Sequence, residues 1–340
     1  MSTSLDSARP DLVGACLRDC TDGDAAADML GLLVASGLDC IPLPGSGNTL
    51  LRWQMLAAVA AHDLALSKLY EGHTDALAIL AELDGEAPPQ GSLWGVWCAE
   101  APGARLMVRG RPAAGAQVRL EGAKAWCSGG AAVSHALVSA RDAEDQPWLV
   151  AVDMNQGGVA LGDGGWQAVG MANTGTAEVS FSAVPASCIG QSGAYLDRPG
   201  FWHGGAGIAA CWYGAAAELG RMLQVAGGAP DAHRLAHLGA VDCALGAARE
   251  LLRASARAID ADPCADAMAL ALRARLAVED AANTVMQHVG EALGAGPYCR
   301  NRRFARLMAD LPVFLRQSHA RRDLAALGQL AHEQQQGWNP

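Results

Sequence analysis

Aromatic residues are scarce in this 340-residue chain, 5% of it, with 4 Tyr and 4 Phe against 9 Trp. Positive charge is short as well: 25 Lys and Arg stand against 35 Asp and Glu, a formal net charge of −10. Nucleic-acid surfaces usually carry a basic patch, so the balance argues for no nucleic-acid partner, while leaving room for a local cationic site. No apolar run reaches the ~20 residues that a membrane span requires. The opening stretch, MSTSLDSARPDLV, lacks a charged segment followed by an apolar one. Both observations make a cytoplasmic protein the expectation. The 10 cysteines include no CxxC pair, and Cys16 and Cys20 have no second cluster nearby to complete a zinc site. No metal is expected, and most of the thiols read as small buried hydrophobes in a reducing compartment. No G-x-G-x-x-G opens a helix after a strand, which argues against a nicotinamide site of the Rossmann kind.

What is present falls into three regions. With 51% hydrophobic residues there is ample material for a core. Residues 1–90 read as an N-terminal helical domain: Ala and Leu recur at helical spacing from Thr49 to Leu69, and a second helix runs from Thr74 to Leu83 after Glu71-Gly72-His73. Residues 91–190 change to short runs rich in Val, Trp and Phe, separated by Gly, Pro, Asn and Asp. Leu93–Cys98, Gln117–Leu120, Ala136–Ala140, Trp148–Val152 and Thr176–Phe181 are such runs, and they read as a central antiparallel β-barrel. Five of the nine Trp lie there, where large aromatics fill a small core or line a ligand face. Residues 191–340 return to long Ala/Leu helices at Gly204–Val225, Arg234–Ile259, Asp266–Leu293 and Phe304–Leu330, a C-terminal four-helix bundle. The fold class expected is α+β, ordered helices, barrel, bundle.

Within that order, Leu120-Glu-Gly-Ala-Lys-Ala-Trp126-Cys-Ser128-Gly-Gly resembles the acyl-CoA dehydrogenase pattern G-x-K-x-W-x-[TS]-x-G. Gly170-Met-Ala-Asn-Thr174-Gly-Thr176-Ala-Glu-Val-Ser-Phe181 is similar to that family's strand near the end of the barrel. Leu293-Gly294-Ala-Gly296-Pro-Tyr298, with Arg306 and Asp310 after it, resembles its GG-x-G…R-D segment. The resemblance covers roughly residues 49–328 and implies an FAD-dependent oxidoreductase that acts on a small molecule, an acyl thioester such as an acyl-CoA. It places Trp126 against the flavin ring, with Cys127 and Ser128 at its N5 edge. It also places Cys98 and Ala99 at the pyrimidine edge, and Gly294 and Gly296 by the adenosine of a neighbouring subunit's flavin. A homodimer or homotetramer is implied, with an electron-transfer or flavin-reductase partner. From the residues alone, Trp126 also reads as a core aromatic, Ser128 as a turn residue, and Gly294 with Gly296 as a plain helix end.

The chain departs from the family pattern in instructive places. The usual T-E-P-x-A-G-S-D appears as Cys98-Ala99-Glu100-Ala101-Pro102-Gly103-Ala104-Arg105, so the threonine hydroxyl and the G-S-D portion are gone. Oxidising a thioester at Cα–Cβ needs a carboxylate to take the α-proton. The position eight residues after Asp310 is Ser318, and the alternative position falls near His203 and Gly204; neither supplies one. Three readings follow. His319 is a base or acid whose type titrates near neutrality, which also suits flavin-dependent monooxygenases on this fold. Asp323 serves instead, or pairs with arginines at the surface. Otherwise the chain is a catalytically degenerate binding or scaffold homologue. The arginines Arg300, Arg302, Arg303, Arg306, Arg316, Arg321 and Arg322 either hold phosphates or make a solvated face with i, i+4 pairs to Asp310 and Asp323. The Gly227–His233 stretch replaces a loop that reaches the partner's FAD in relatives, so weaker cofactor binding is expected.

Overall fold

The computed structural model describes residues 9–21, 23–162, 165–334 and 337. The alternating segment forms seven strands: β1 (Trp94–Trp97), β2 (Leu106–Arg109), β3 (Gln117–Cys127), β4 (His135–Arg141), β5 (Pro147–Asp153), β6 (Val159–Leu161) and β7 (Ala177–Ile189). Neighbour pairing runs β4-β2-β3-β7-β5, and β5 pairs back onto β4, so five strands close into a barrel. β1 lies parallel to β4, and β6 adds to β7. Closure leaves these five strands no free edge to cover. Along β3 the alternation expected from the sequence is visible: Val118 and Leu120 turn inward while Gln117, Arg119 and Glu121 face solvent. The inward set includes Trp97, Val138, Trp148, Val150 and Phe181, each worth about 1.5–3 kcal/mol of burial.

The helices are α1 (Arg9–Cys16), α2 (Ala26–Ala35), α3 (Thr49–His62), α4 (Leu64–Glu82), α5 (Ala194–Asp197), α6 (Gly200–Gln224), α7 (Ala232–Ala261), α8 (Met268–Leu293), α9 (Ala295–Arg300), α10 (Arg302–Phe314) and α11 (Arg321–Gln334). Two compact units result. One runs to Ile41 and resumes over Ala65–Phe201; the other takes Pro42–Leu64 and the chain from Trp202 onward. In the first unit, α4 lays Ala76, Ile79 and Leu80 on Trp94, Leu137, Leu149 and Ile189 of the barrel. In the second, Gly214 lets α6 press against α3, where an added Cβ would stand 2.2 Å from the Ala57 carbonyl oxygen. Asp260 at the end of α7 accepts from the Thr49 hydroxyl at 2.6 Å and from the Thr49 amide, tying down the start of α3.

Order and class match the sequence reading, and several boundaries move. The first long helix ends at Asp63, whose extended backbone stops α3, and α4 then runs through Glu71-Gly72-His73 without a break. Strand β3 continues seven residues past Leu120, and β2 and β6 were too short to register as runs. The last helix is cut in two: Pro312 lies in α10, residues Leu315–Gln317 tighten into a 3-10 turn, and α11 begins only at Arg321.

Candidate functional site

At its far end β3 departs from its partner β7. The register slips between Lys124 and Cys127, so that Ala125 and Trp126 together stand opposite the single residue Glu178, a bulge of one extra residue. Trp126 takes φ 57 there, a left-handed conformation costing a bulky residue about 1–3 kcal/mol. The bulge turns its indole outward, 57% exposed, while Cys127 points into the barrel core with no exposed surface. Burial pushes the Cys127 thiol up to about 12, so its side chain is a neutral core group and only its backbone remains for a ligand.

Ser128 follows at the strand's end, and a chain of hydroxyls fixes it. The Thr176 hydroxyl donates to Ser128 Oγ at 3.3 Å and lies 2.7 Å from the Thr174 hydroxyl. Thr174 donates in turn to the Met171 carbonyl at 2.7 Å. The Trp97 indole N–H donates to the Ser128 carbonyl at 3.1 Å, and the Gly129 amide donates to Thr174 O at 2.9 Å. Behind Ser128, toward α4, lies a cavity of only about 10 Å³, room for one water. An apolar ring face held out beside anchored hydroxyls is a donor set that fits a flat heteroaromatic ring with a polar edge.

Cys98 and Ala99 follow directly after β1. Cys98 is partly buried and Ala99 exposed. Burial pushes the Cys98 thiol up to about 11, against the opposing effect of its hydrogen bond with Tyr195, so the thiol stays protonated at neutral pH. Glu100 forms an exposed ion pair with Arg141 at 3.1 Å. Lys124, the lysine of the same motif, is buried and donates to Ser139 Oγ at 2.9 Å; burial lowers its pKa. Thr174, Thr176 and Trp97 were not singled out from the sequence. The first two stood inside a quoted motif and read there only as strand.

The remaining candidates belong to the helical unit. Ser318 is buried, and its Oγ accepts from the Ala320 amide at 3.1 Å. His319 places Nδ1 at 3.4 Å from Asp323 Oδ1, its side chain 58% exposed, and its amide donates to Asp323 Oδ2. Arg275, which stacks on Trp212 at 4.8 Å, holds the Gln317 carbonyl. Carboxylates of this unit are engaged by arginines: Glu279 by Arg316 at 2.7 Å, Asp63 by Arg306 at 3.2 Å, Glu218 by Arg221 and Arg303. Arg303, Arg306 and Arg316 are thus in ion pairs, but with Glu218, Asp63 and Glu279 far away in sequence rather than with the expected Asp310 and Asp323. Gly294 makes the turn from α8 to α9 at φ 63, and Gly296 has open space around it. Beside them a cleft of about 360 Å³ opens, lined by Met222, Val225, Leu293, Pro297 and Phe304, with Arg221 and Arg303 among its walls.

No family model matches the chain, and no curated protein matches it in sequence. Solved structures do. TdsC from Paenibacillus sp. A11-2 with FMN and indole aligns over 95% of both chains at 17% identity, TM-score 0.79; another structure of it is titled a dibenzothiophene monooxygenase. KijD3 in complex with FMN and dTDP-3-amino-2,3,6-trideoxy-4-keto-3-methyl-D-glucose matches over 99% of this chain and 93% of its own, at 19% identity, TM-score 0.76. A steroid ACAD variant, an acyl-CoA dehydrogenase, covers 97% of each chain at 20% identity, TM-score 0.73. The chain has the acyl-CoA dehydrogenase-like fold. Among the described residues no helix is long and apolar enough to cross a membrane.

Proposed function

We propose that the chain is a flavin-dependent monooxygenase on the acyl-CoA dehydrogenase scaffold, acting on a small organic molecule. The observation that carries this reading is the missing base. The residue eight after Asp310 is a serine whose Oγ accepts an amide hydrogen bond from Ala320, and Glu279, Asp63 and Glu218 are bound to arginines. Thioester dehydrogenation needs an uncommitted carboxylate for the α-proton; oxygen transfer does not. Two of the structural neighbours, TdsC and KijD3, were solved with FMN, so the expectation of FAD widens to flavin, with FMN the form we favour.

A bound reduced flavin would supply the two electrons that divide O₂ between an oxygenated product and water. The rest falls to the chain. Trp126 offers its exposed face to the ring, and Ser128, set by Thr176 and Thr174, orients the polar edge. Within the helical unit by itself, the candidate proton carrier is His319, whose imidazole the Asp323 carboxylate orients from 3.4 Å at Nδ1. A separate flavin reductase would provide the reduced cofactor, and a homo-oligomer is part of the same reading.

The test is a pair of reactions. Reduced FMN and O₂ with small aromatic and amine substrates should give oxygenated product, with O₂ consumed in proportion. Anaerobic mixing of the oxidised flavin complex with a panel of acyl-CoAs should leave the flavin absorbance unchanged. Bleaching by an acyl-CoA would return the chain to the dehydrogenases.

A further inference from the structure

Helices α7 and α8 are the longest in the helical unit, 30 and 26 residues, and pack side by side. On their shared surface His237 of α7 faces His288 of α8, with Nδ1 atoms 2.9 Å apart and rings tilted by 57°. Glu291 stands one turn beyond His288 on the same face, with Oε2 at 3.8 Å from His237 Nδ1. All three groups offer a ligand atom within 4.8 Å of one another. None of them has a part in the proposed flavin chemistry.

We infer that His237, His288 and Glu291 form a binding site for a divalent transition-metal ion of the zinc type, clamping α7 to α8. The distances carry this. Two imidazole nitrogens each about 2.05 Å from one ion stand about 2.9 Å apart at right angles and about 3.3 Å apart at the tetrahedral angle zinc prefers, so the 2.9 Å observed asks the rings to open slightly. Glu291 sits slightly wide, as an exposed side chain whose other oxygen, Oε1, accepts from Gln287 at 3.0 Å. A turn of its exposed side chain by roughly 1–2 Å brings its carboxylate to the reach of a first-row metal shared with both histidines. That Gln287 bond then orients the ligand from outside, as second-shell partners do. Two nitrogens and one oxygen select borderline ions such as Zn²⁺, Co²⁺ or Ni²⁺ over Mg²⁺ or Ca²⁺, which ask for oxygen ligands. Three protein ligands leave the remaining positions to water.

The competing account is an imidazole–imidazole hydrogen bond with no affinity for metal. Untagged, chelator-treated protein titrated with Co²⁺ and followed by visible absorption separates the two. The expected result is one saturating equivalent per chain, displaced by Zn²⁺, with a rise in melting temperature on Zn²⁺ addition. His237→Ala and His288→Ala should each weaken binding by at least about tenfold, since loss of an outer-shell partner alone costs about that much. His332→Ala, an exposed histidine on α11, should change nothing. Should an alanine variant fail to fold, Glu291→Gln replaces it and should also weaken binding. Absence of a saturating equivalent, or binding indifferent to all three ligand substitutions, overturns the site. Flavin binding is not part of this readout, so its outcome is independent of the proposed oxygenase reaction.

Discussion

Two regions of the molecule received the functional residues, and they treat them in opposite ways. At the end of β3 the backbone is held in a left-handed conformation that exposes a tryptophan. Neither the strain nor the exposure helps the barrel fold. Around Ser318–Asp323 the backbone is left-handed too, at Ala320 with φ 47, but no apolar ring is uncovered there and the polar atoms satisfy local backbone groups, Ser318 taking the Ala320 amide and Asp323 the His319 amide. Strain and uncovered apolar surface without a folding benefit mark a place shaped for a ligand. Polar residues that close a chain break are accounted for by folding, and of Ser318, His319 and Asp323 it is His319 that keeps most of its side chain in solvent.

Substitutions sharpen or break that contrast, and the largest effect should come from the support of the barrel site. Trp97→Ala removes a buried indole and the bond holding the Ser128 carbonyl, and should lower unfolding free energy by about 3–5 kcal/mol in urea melts. Next, His319→Asn should cut turnover by about 100-fold with flavin affinity unchanged; equal turnover would leave His319 a helix-end residue and nothing more. Trp126→Ala should weaken flavin binding on the order of 30-fold, about 2 kcal/mol of lost ring contact. Its melting temperature should hold or rise, since no buried contact is lost; a fall would make the indole structural. Ser318→Ala should cost about 1 kcal/mol of stability through the lost amide acceptor and leave turnover intact.

The smallest effect concerns acid. Burial works to raise Asp142, but the Trp148 indole N–H and the Gln146 and Glu144 amides outweigh it and hold its carboxyl below the usual range. Its contribution is complete above the unfolded aspartate value of about 4 and is lost as pH falls through the lower folded one. Asp142→Asn should flatten the acid limb of a stability–pH profile while leaving neutral turnover alone.

Much of the architecture was legible because each region repeats its own period. Val118, Leu120, Val150 and Val152 alternate, and the Ala/Leu helices recur at three and four. The helix break was misjudged because Gly72 looked like a stop. In the structure it sits mid-helix, where an added Cβ would meet only the Val96 amide nitrogen at an ordinary 3.8 Å, so neither a turn nor a close approach calls for glycine there. The motif around Trp126 marked the right strand end, but a bulge depends on how two strands register, and nothing local predicts that φ turns positive there. The pairing of Thr176 with Ser128, 48 residues apart, is likewise visible only once β7 lies beside β3. His237 and His288, 51 residues apart, escaped for the same reason.

The segment Pro42–Leu64 belongs with the chain after residue 201, and its anchor has a consequence for synthesis. Thr49 leaves the ribosome long before Asp260, its partner 211 residues downstream. At about 5–20 residues per second, the wait is roughly 10–40 s. For most of that interval, until α6 brings Gly207 against Trp53 and Leu56, the apolar face of a nascent α3 has no neighbour from its own unit. That makes it the stretch of newborn chain on which a chaperone would be expected to settle first.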